Sequence, residues 1–335
     1  MRKIINLIKK IIVFIEKKLF IVYDLLKSNS YNKLVAIVSC DKWKNKSLED
    51  LYLKHSLNKQ NCKVDIISWE DKTIDYSKYD LIIIRSIWGF QENKTKFENW
   101  LNMLETQKIK VLNPINVIKN NYDKEIQFDI LNKYNIETIK TFFLPINKNI
   151  KSRILDLKTN NDLENNLIVL KPTISEGSKD VYLVGDNRYE FNNIIDINEV
   201  YNKYKNNKSK LMVQPFMKEI FDGEYSICCI NNKITHGIIK YKNAFTKTNM
   251  IKYIPADKID HKIIEIVNNI LNIKEYKDNL FLRIDFVKQK KKFLVMEVEL
   301  LDPNLFLEFI ADRKKRKEIL NFFAEQIIEY TKNKS

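Results

Sequence analysis

From Lys33 onward, short apolar runs alternate with stretches that are apolar only every third or fourth residue. LVAIVSC (34–40), CKVDIISW (62–69) and YDLIIIRSIW (79–88) are continuous enough to be buried strands, with a polar helical stretch through Leu57 after the first. KTKFENWLNMLET (94–106) has helical spacing, and KIKVLNP (108–114) is a short strand ended by proline. Strands alternating with helices predict a small parallel α/β unit. Arg85 and Ser86 follow the run LIII, at a strand end where open α/β sheets place ligands.

The second half reads differently. After a helical stretch over 116–135, TIKTFFLP (138–145), LIVLKP (167–172), VYLV (181–184) and KLMVQPFM (210–217) are strand-like. EYSICCINNKITHGIIKYK (224–242) reads as a hairpin, DHKIIEIVNNILNIK (260–274) as a helix, and a last helix runs to about Tyr330. This half is α+β, with antiparallel sheet.

The hairpin FLRIDFV (281–287) and FLVMEVEL (293–300) carries the clearest chemistry. Alternation places Arg283 and Asp285 on one face, and Glu297 and Glu299 on one face with Leu294, Met296, Val298 and Leu300 opposite. A turn within KQKKK would bring both charged faces together. Three carboxylates so placed repel unless a cation lies among them, and hard oxygen donors without imidazole or thiolate suit Mg²⁺ beside phosphates. The bland alternative is a solvated strand face with Arg283 paired to one glutamate. Lys171 ends an apolar strand ahead of a loop containing Gly177, a costly residue in a chain with 5 glycines, and this pairing of cation and loop suits a phosphate. Proline in VQPFM frees backbone groups beside an apolar wall, and Glu224 opens the next strand.

Composition narrows the classes. The net charge of +15 accompanies lysine and asparagine richness everywhere, so it marks composition and does not call for nucleic acid. Four cysteines without framework or zinc spacing imply a reducing, cytoplasmic setting, and three histidines exclude a histidine-rich metal site. Residues 1–27 read as a basic amphipathic helix too interrupted for the ~20 apolar residues of a membrane span, suited to packing on a protein or lying on an anionic membrane.

Taken in order, Lys124 in NNYDKEIQFDIL, Lys171 in VLKP, VQPFM, GEYS, HGIIK, RIDF and MEVELLDPNLF resemble the ATP-grasp superfamily from about Asn113 to Glu308. RSIW (85–88) and ELLDPNLF (299–306) are similar to the glutathione-synthetase-like and cycloserine-ligase branch. The resemblance implies an ATP-grasp fold with four parts: a helical extension (1–30), an N-terminal α/β substrate-side domain (31–113), and ATP-grasp subdomains over 114–208 and 209–335. It implies a carboxylate–amine ligase that releases ADP and phosphate through an acyl-phosphate, using ATP and two Mg²⁺ that Mn²⁺ could replace. Lys124, Lys171 and the Gly177 loop would contact phosphates; Gln214 and the Phe216 and Met217 backbone adenine; Glu224 ribose. Asp285, Glu297 and Glu299 would bind metal, Arg283 and Lys240 would act in catalysis, and Arg85 and Ser86 would receive substrate. A homodimer is compatible with this reading, as is membrane-peripheral attachment through residues 1–27. Many relatives have Asn at the position of Glu299, and NAFTKTNMIKYIPADK (243–258) lacks their Gly-rich loop. A nucleotide-binding protein without ligase turnover is the alternative.

Overall fold

The computed structural model describes residues 31–160, 163, 167–175, 180–185, 196–205, 210–242 and 249–332, with Lys18. The expected helix over 1–27 and the Gly177 loop lie outside the described residues. In chain order the helices are α1 (Leu48–Lys59), α2 (Lys94–Thr106), α3 (Ile115–Lys119), α4 (Lys124–Lys133), α5 (Ile150–Thr159), α6 (Ile197–Tyr204), α7 (His261–Leu271) and α8 (Arg313–Lys332). The strands are β1 (Lys33–Ser39), β2 (Cys62–Ser68), β3 (Leu81–Ile84), β4 (Val111–Leu112), β5 (Phe142–Pro145), β6 (Leu167–Pro172) and β7 (Tyr182–Gly185). They continue as β8 (Lys210–Pro215), β9 (Glu224–Ile230), β10 (Lys233–Lys242), β11 (Asn249–Pro255), β12 (Phe281–Gln289) and β13 (Lys292–Glu299).

Two compact units result: residues up to 88 with 99–112 and 306–335, and residues 89–98 with 113–305. The first holds a sheet of order β2-β1-β3-β4 whose strand pairs are all parallel. Leu81, Ile82, Ile83 and Ile84 are each 0 % exposed, as a parallel sheet covered on both faces requires. α8 groups with this unit, whereas the sequence reading placed it with 209–335.

The second unit holds two antiparallel sheets, β5-β8-β6-β7 and β11-β10-β9-β12-β13. α7, capped by Asp260 accepting from the Lys262 N–H at 3.0 Å, buries Ile263, Val267 and Ile270 one turn apart. These pack with Ile227, Leu282, Ile284 and Phe286, one face of the five-stranded sheet, and leave its other face for chemistry.

The helical stretch expected over 116–135 is two helices. Asp123 ends the break as an N-cap, its carboxylate accepting from Glu125 N–H at 3.0 Å, so Lys124 sits at the start of α4. NMIKYIP is the edge strand β11, and neither it nor α5 and α6 is anticipated by the sequence pattern.

Candidate active site on the five-stranded sheet

β12 and β13 turn at Lys290–Lys291, inside KQKKK. Their register sets Arg283 opposite Glu299 and Asp285 opposite Glu297, so all four side chains share a face as alternation anticipated. On the other side of β12, β9 sets Ser226 opposite Asp285, and β10 sets Lys240 opposite Glu224. A polar stripe therefore crosses four strands.

One detail departs from alternation. Phe286 pairs with Val295 and Asp285 with Glu297, so Met296 is an extra residue, a β-bulge. The bulge turns Leu294 and Met296 to the same face as Glu297, correcting the expectation that they oppose it. There they join Ile139, Met217, Val287 and Ile220 in a small apolar cluster next to the carboxylates. Gly223, ahead of Glu224, has φ +134°, and a Cβ there would lie 2.6 Å from Ile239 Cγ2, so the GEYS motif needs its glycine.

Charges on the stripe are closely matched. The Arg283 guanidinium donates to both oxygens of Asp285 at 3.0–3.2 Å, and Ser226 O–H donates to the same carboxylate. Burial alone would raise the Asp285 pKa, but Arg283, Lys240 and Ser226 outweigh it and hold it at about 2. Lys240 pairs with Glu224 and lies 4.0 Å from Asp285. Lys124, 6 % exposed, lies 3.0 Å from Glu297 and donates to the Ser175 carbonyl at 2.6 Å. Burial lowers its proton affinity, yet Glu297 and Glu299 reverse the sign and the ammonium is stabilised. Glu297, desolvated but facing Lys124 and Lys171, stays below the usual carboxylate range. Glu299 is raised by burial and by Glu297, and accepts from Leu301 N–H at 3.0 Å. Lys171 is lowered by desolvation, against the pull of Glu297.

The stripe thus gathers Lys124, Lys171, Glu224, Lys240, Arg283, Asp285, Glu297 and Glu299. Gln214 donates to Thr141 Oγ1 at 2.8 Å. The Phe216 N–H donates to the Leu167 carbonyl at 3.0 Å, and its ring packs with Leu167 and Leu183. That amide extends the sheet. Met217 does lie in the apolar cluster beside the stripe.

Arg85 and Ser86 are not gathered here. Arg85 is 4 % exposed, 2.9 Å from Glu49 Oε2 and 3.7 Å from Asp50 Oδ1, all within the first unit. Ser86 O–H donates to Asp50, and Ser39 Oγ lies 2.8 Å from Ser86 Oγ. A guanidinium expected to project toward a substrate carboxylate is instead braced between two carboxylates from the start of α1.

The donor set fits a divalent cation shared with phosphate. It is oxygen-only, Asp285 and Glu297 face one another, and cations already hold the excess charge in check. Among the described residues no three acidic, histidine or cysteine side chains converge closely enough to cage a metal alone. Mg²⁺ requires no such cage, since it takes one or two carboxylates together with water and phosphate oxygens.

Sequence reasoning missed Asn113, Asn121, Gln127 and Ser226, all buried around β12 and β13. The available signal was polar residues on otherwise apolar faces: Gln127 lies beside Phe128 and Leu131 on the buried side of α4.

Residues 145–313 match the family described as prokaryotic glutathione synthetase, ATP-grasp domain, and residues 35–113 match the D-cycloserine synthetase DcsG N-terminal domain. The chain is 22 % identical to the cycloserine biosynthesis protein DcsG of Streptomyces lavendulae over 282 residues, 80 % of this chain and 89 % of that protein. The crystal structure of D-cycloserine synthetase DcsG is similar with TM-score 0.72 and 19 % identity, covering 89 % of this chain and 99 % of that one. D-alanine–D-alanine ligase from Bacillus anthracis in complex with ATP gives TM-score 0.61 at 16 % identity, over 89 % and 97 % of the two chains. No helix among the described residues is long and apolar enough to cross a membrane.

Proposed function

Because the chain belongs to the ATP-grasp family of ADP-forming ligases, we propose that it activates a small carboxylate as an acyl-phosphate and passes the acyl group to an amine or related nucleophile. The observation that carries this reading is the cross-strand pair Asp285–Glu297, flanked by Arg283 on one side and Lys124 on the other.

The reaction brings a carboxylate oxygen to the γ-phosphorus of ATP, breaks the bond to ADP, and then exchanges phosphate for the nucleophile at the acyl carbon. Both steps concentrate negative charge, so charge neutralisation and positioning are what the protein must supply. Lys124 and Lys171 would hold the phosphates from two sides. Lys171 suits this because desolvation leaves its ammonium in need of an anion. Arg283, fixed by Asp285 and the Asn304 carbonyl at 3.3 Å, would face the acyl oxygen as its charge develops. Lys240 would reach the γ-phosphate and Glu224 the ribose, while Gln214 and the Met217 backbone hold the base next to the Met217–Met296 cluster. Asp285, Glu297 and Glu299 would hold two Mg²⁺, which when bound supply positive charge to the phosphate oxygens.

The test is a screen of amino acids and small peptides, singly and in pairs, for ATP-dependent phosphate release with mass detection of product. Added hydroxylamine should divert an acyl-phosphate to the hydroxamate. ADP formation that depends on the acid but yields neither product nor hydroxamate would contradict the mechanism.

A further inference from the structure

Among the described residues β13 is the outer strand of its sheet, so its outward N–H and C=O groups have no named strand there to pair with. At its upstream end the chain itself covers the edge, with Val295 N–H donating to the Glu137 carbonyl at 2.9 Å and Ile139 N–H to the Val295 carbonyl at 3.2 Å. Farther along, side chains take over. Gln127 donates to the Val298 carbonyl at 2.7 Å and accepts from Val298 N–H at 2.9 Å. Asn121 donates to the same carbonyl at 2.7 Å and accepts from Leu300 N–H at 2.8 Å. Two amide side chains thereby stand in for a missing strand.

The peptide they grip is the one that separates Glu297 from Glu299. Fixing both polar groups of Val298 fixes the backbone on either side, hence the origin and direction of both carboxylates. Gln127 and Asn121 are 1 % and 2 % exposed, so water cannot readily replace either amide. Gln127 also lies one turn after Lys124 on the same buried face of α4, and Lys124 touches Glu297 at 3.0 Å. A strand in this place would seal the edge equally well. An amide on α4 does more, because it locks the carboxylate strand in register with the helix that carries the lysine.

We infer that Asn121 and Gln127 are positioning residues that hold Glu297 and Glu299 at the geometry needed to share a cation with nucleotide phosphates. The inference rests on the proposed function of that site. Asn113 provides an internal control. It is 0 % exposed and equally clamped, donating to the Phe281 and Leu300 carbonyls at 2.8 and 2.6 Å and accepting from Leu280 N–H at 2.7 Å, but it does not grip Val298.

The experiment is calorimetric titration of the full chain with ADP, in excess magnesium chloride and in EDTA. The wild type should bind ADP more tightly with magnesium. In Gln127→Met the EDTA affinity should stay within about twofold, while the gain from magnesium falls by about tenfold or more, the usual loss when a metal ligand's support is removed. Asn113→Leu should melt earlier yet keep the gain. Gln127→Asn, too short to span to Val298, should repeat the loss if Gln127→Met does not fold. A full magnesium gain in the Gln127 variants, or an equal loss in Asn113→Leu, would overturn the positioning role alone. A wild type that gains nothing from magnesium would overturn the site reading as well, before any variant is made.

Discussion

Asp285 and Glu297 are direct cross-strand partners, yet each is neutralised from a different element: Asp285 by Arg283 two residues away on its own strand, Glu297 by Lys124 at the start of α4. Two carboxylates this close would repel in isolation. Here each brings its own cation, which keeps both carboxylates charged. On the proposed function, incoming phosphates would draw off Lys124 and leave Glu297 to a metal.

Gly223→Ala should weaken the nucleotide site through the backbone. The positive φ and the 2.6 Å approach to Ile239 oblige either the glycine turn or β10 to shift, at a cost of about 1–3 kcal/mol. Calorimetry with ADP should show reduced affinity together with a lower melting temperature. An unchanged affinity would mean that Glu224 and Lys240 do not depend on this turn.

Arg85→Ala should act on stability. It leaves Glu49 and Asp50 buried without their guanidinium, a situation that costs about 3–5 kcal/mol when one partner of a buried pair is removed. Differential scanning calorimetry should report a clearly lower melting temperature. If the melting temperature held and only substrate KM rose, Arg85 would return to the list of substrate contacts.

A pH dependence follows from Glu308. Burial, with Glu49 nearby, raises its carboxyl to about 8 in the fold, against Arg85 and Arg316. The unfolded chain has the ordinary value of ~4.3, so the folded state binds this proton more tightly and its contribution is fully present below that value. It is lost as pH rises through about 8. Glu308→Gln should therefore be more stable than the wild type at pH 8, with the difference shrinking toward pH 5. Chemical denaturation at the two pH values checks this, and a constant difference would contradict it.

What could be read from the sequence was set by alternation and strand ends. Arg283 with Asp285, and Glu297 with Glu299, were legible as pairs because two residues per repeat put each pair on one face of its own strand, while the register of the hairpin decides whether the two faces coincide. The bulge at Met296 was not, since Leu294 and Met296 are apolar and look equally at home facing the core or an apolar cluster. The break before Lys124 left a trace in Asp123, a good cap, but an unbroken helical pattern concealed it. Arg85 was placed at the right strand end and assigned the wrong company, because Glu49 and Asp50 reach it from a helix 36 and 35 positions earlier. No local pattern encodes that contact, nor the grip of Gln127 on a strand some 170 residues away in sequence.

The central claim is that Glu297 holds metal against the transferring phosphoryl group, and Glu297→Gln tests it most directly. The substitution keeps the shape and removes the charge. ADP should still bind in the absence of magnesium, while magnesium-dependent turnover of ATP with an acid substrate should fall at least about a hundredfold, corresponding to ~3 kcal/mol or more of barrier. Unchanged turnover in a folded Glu297→Gln protein would contradict the account.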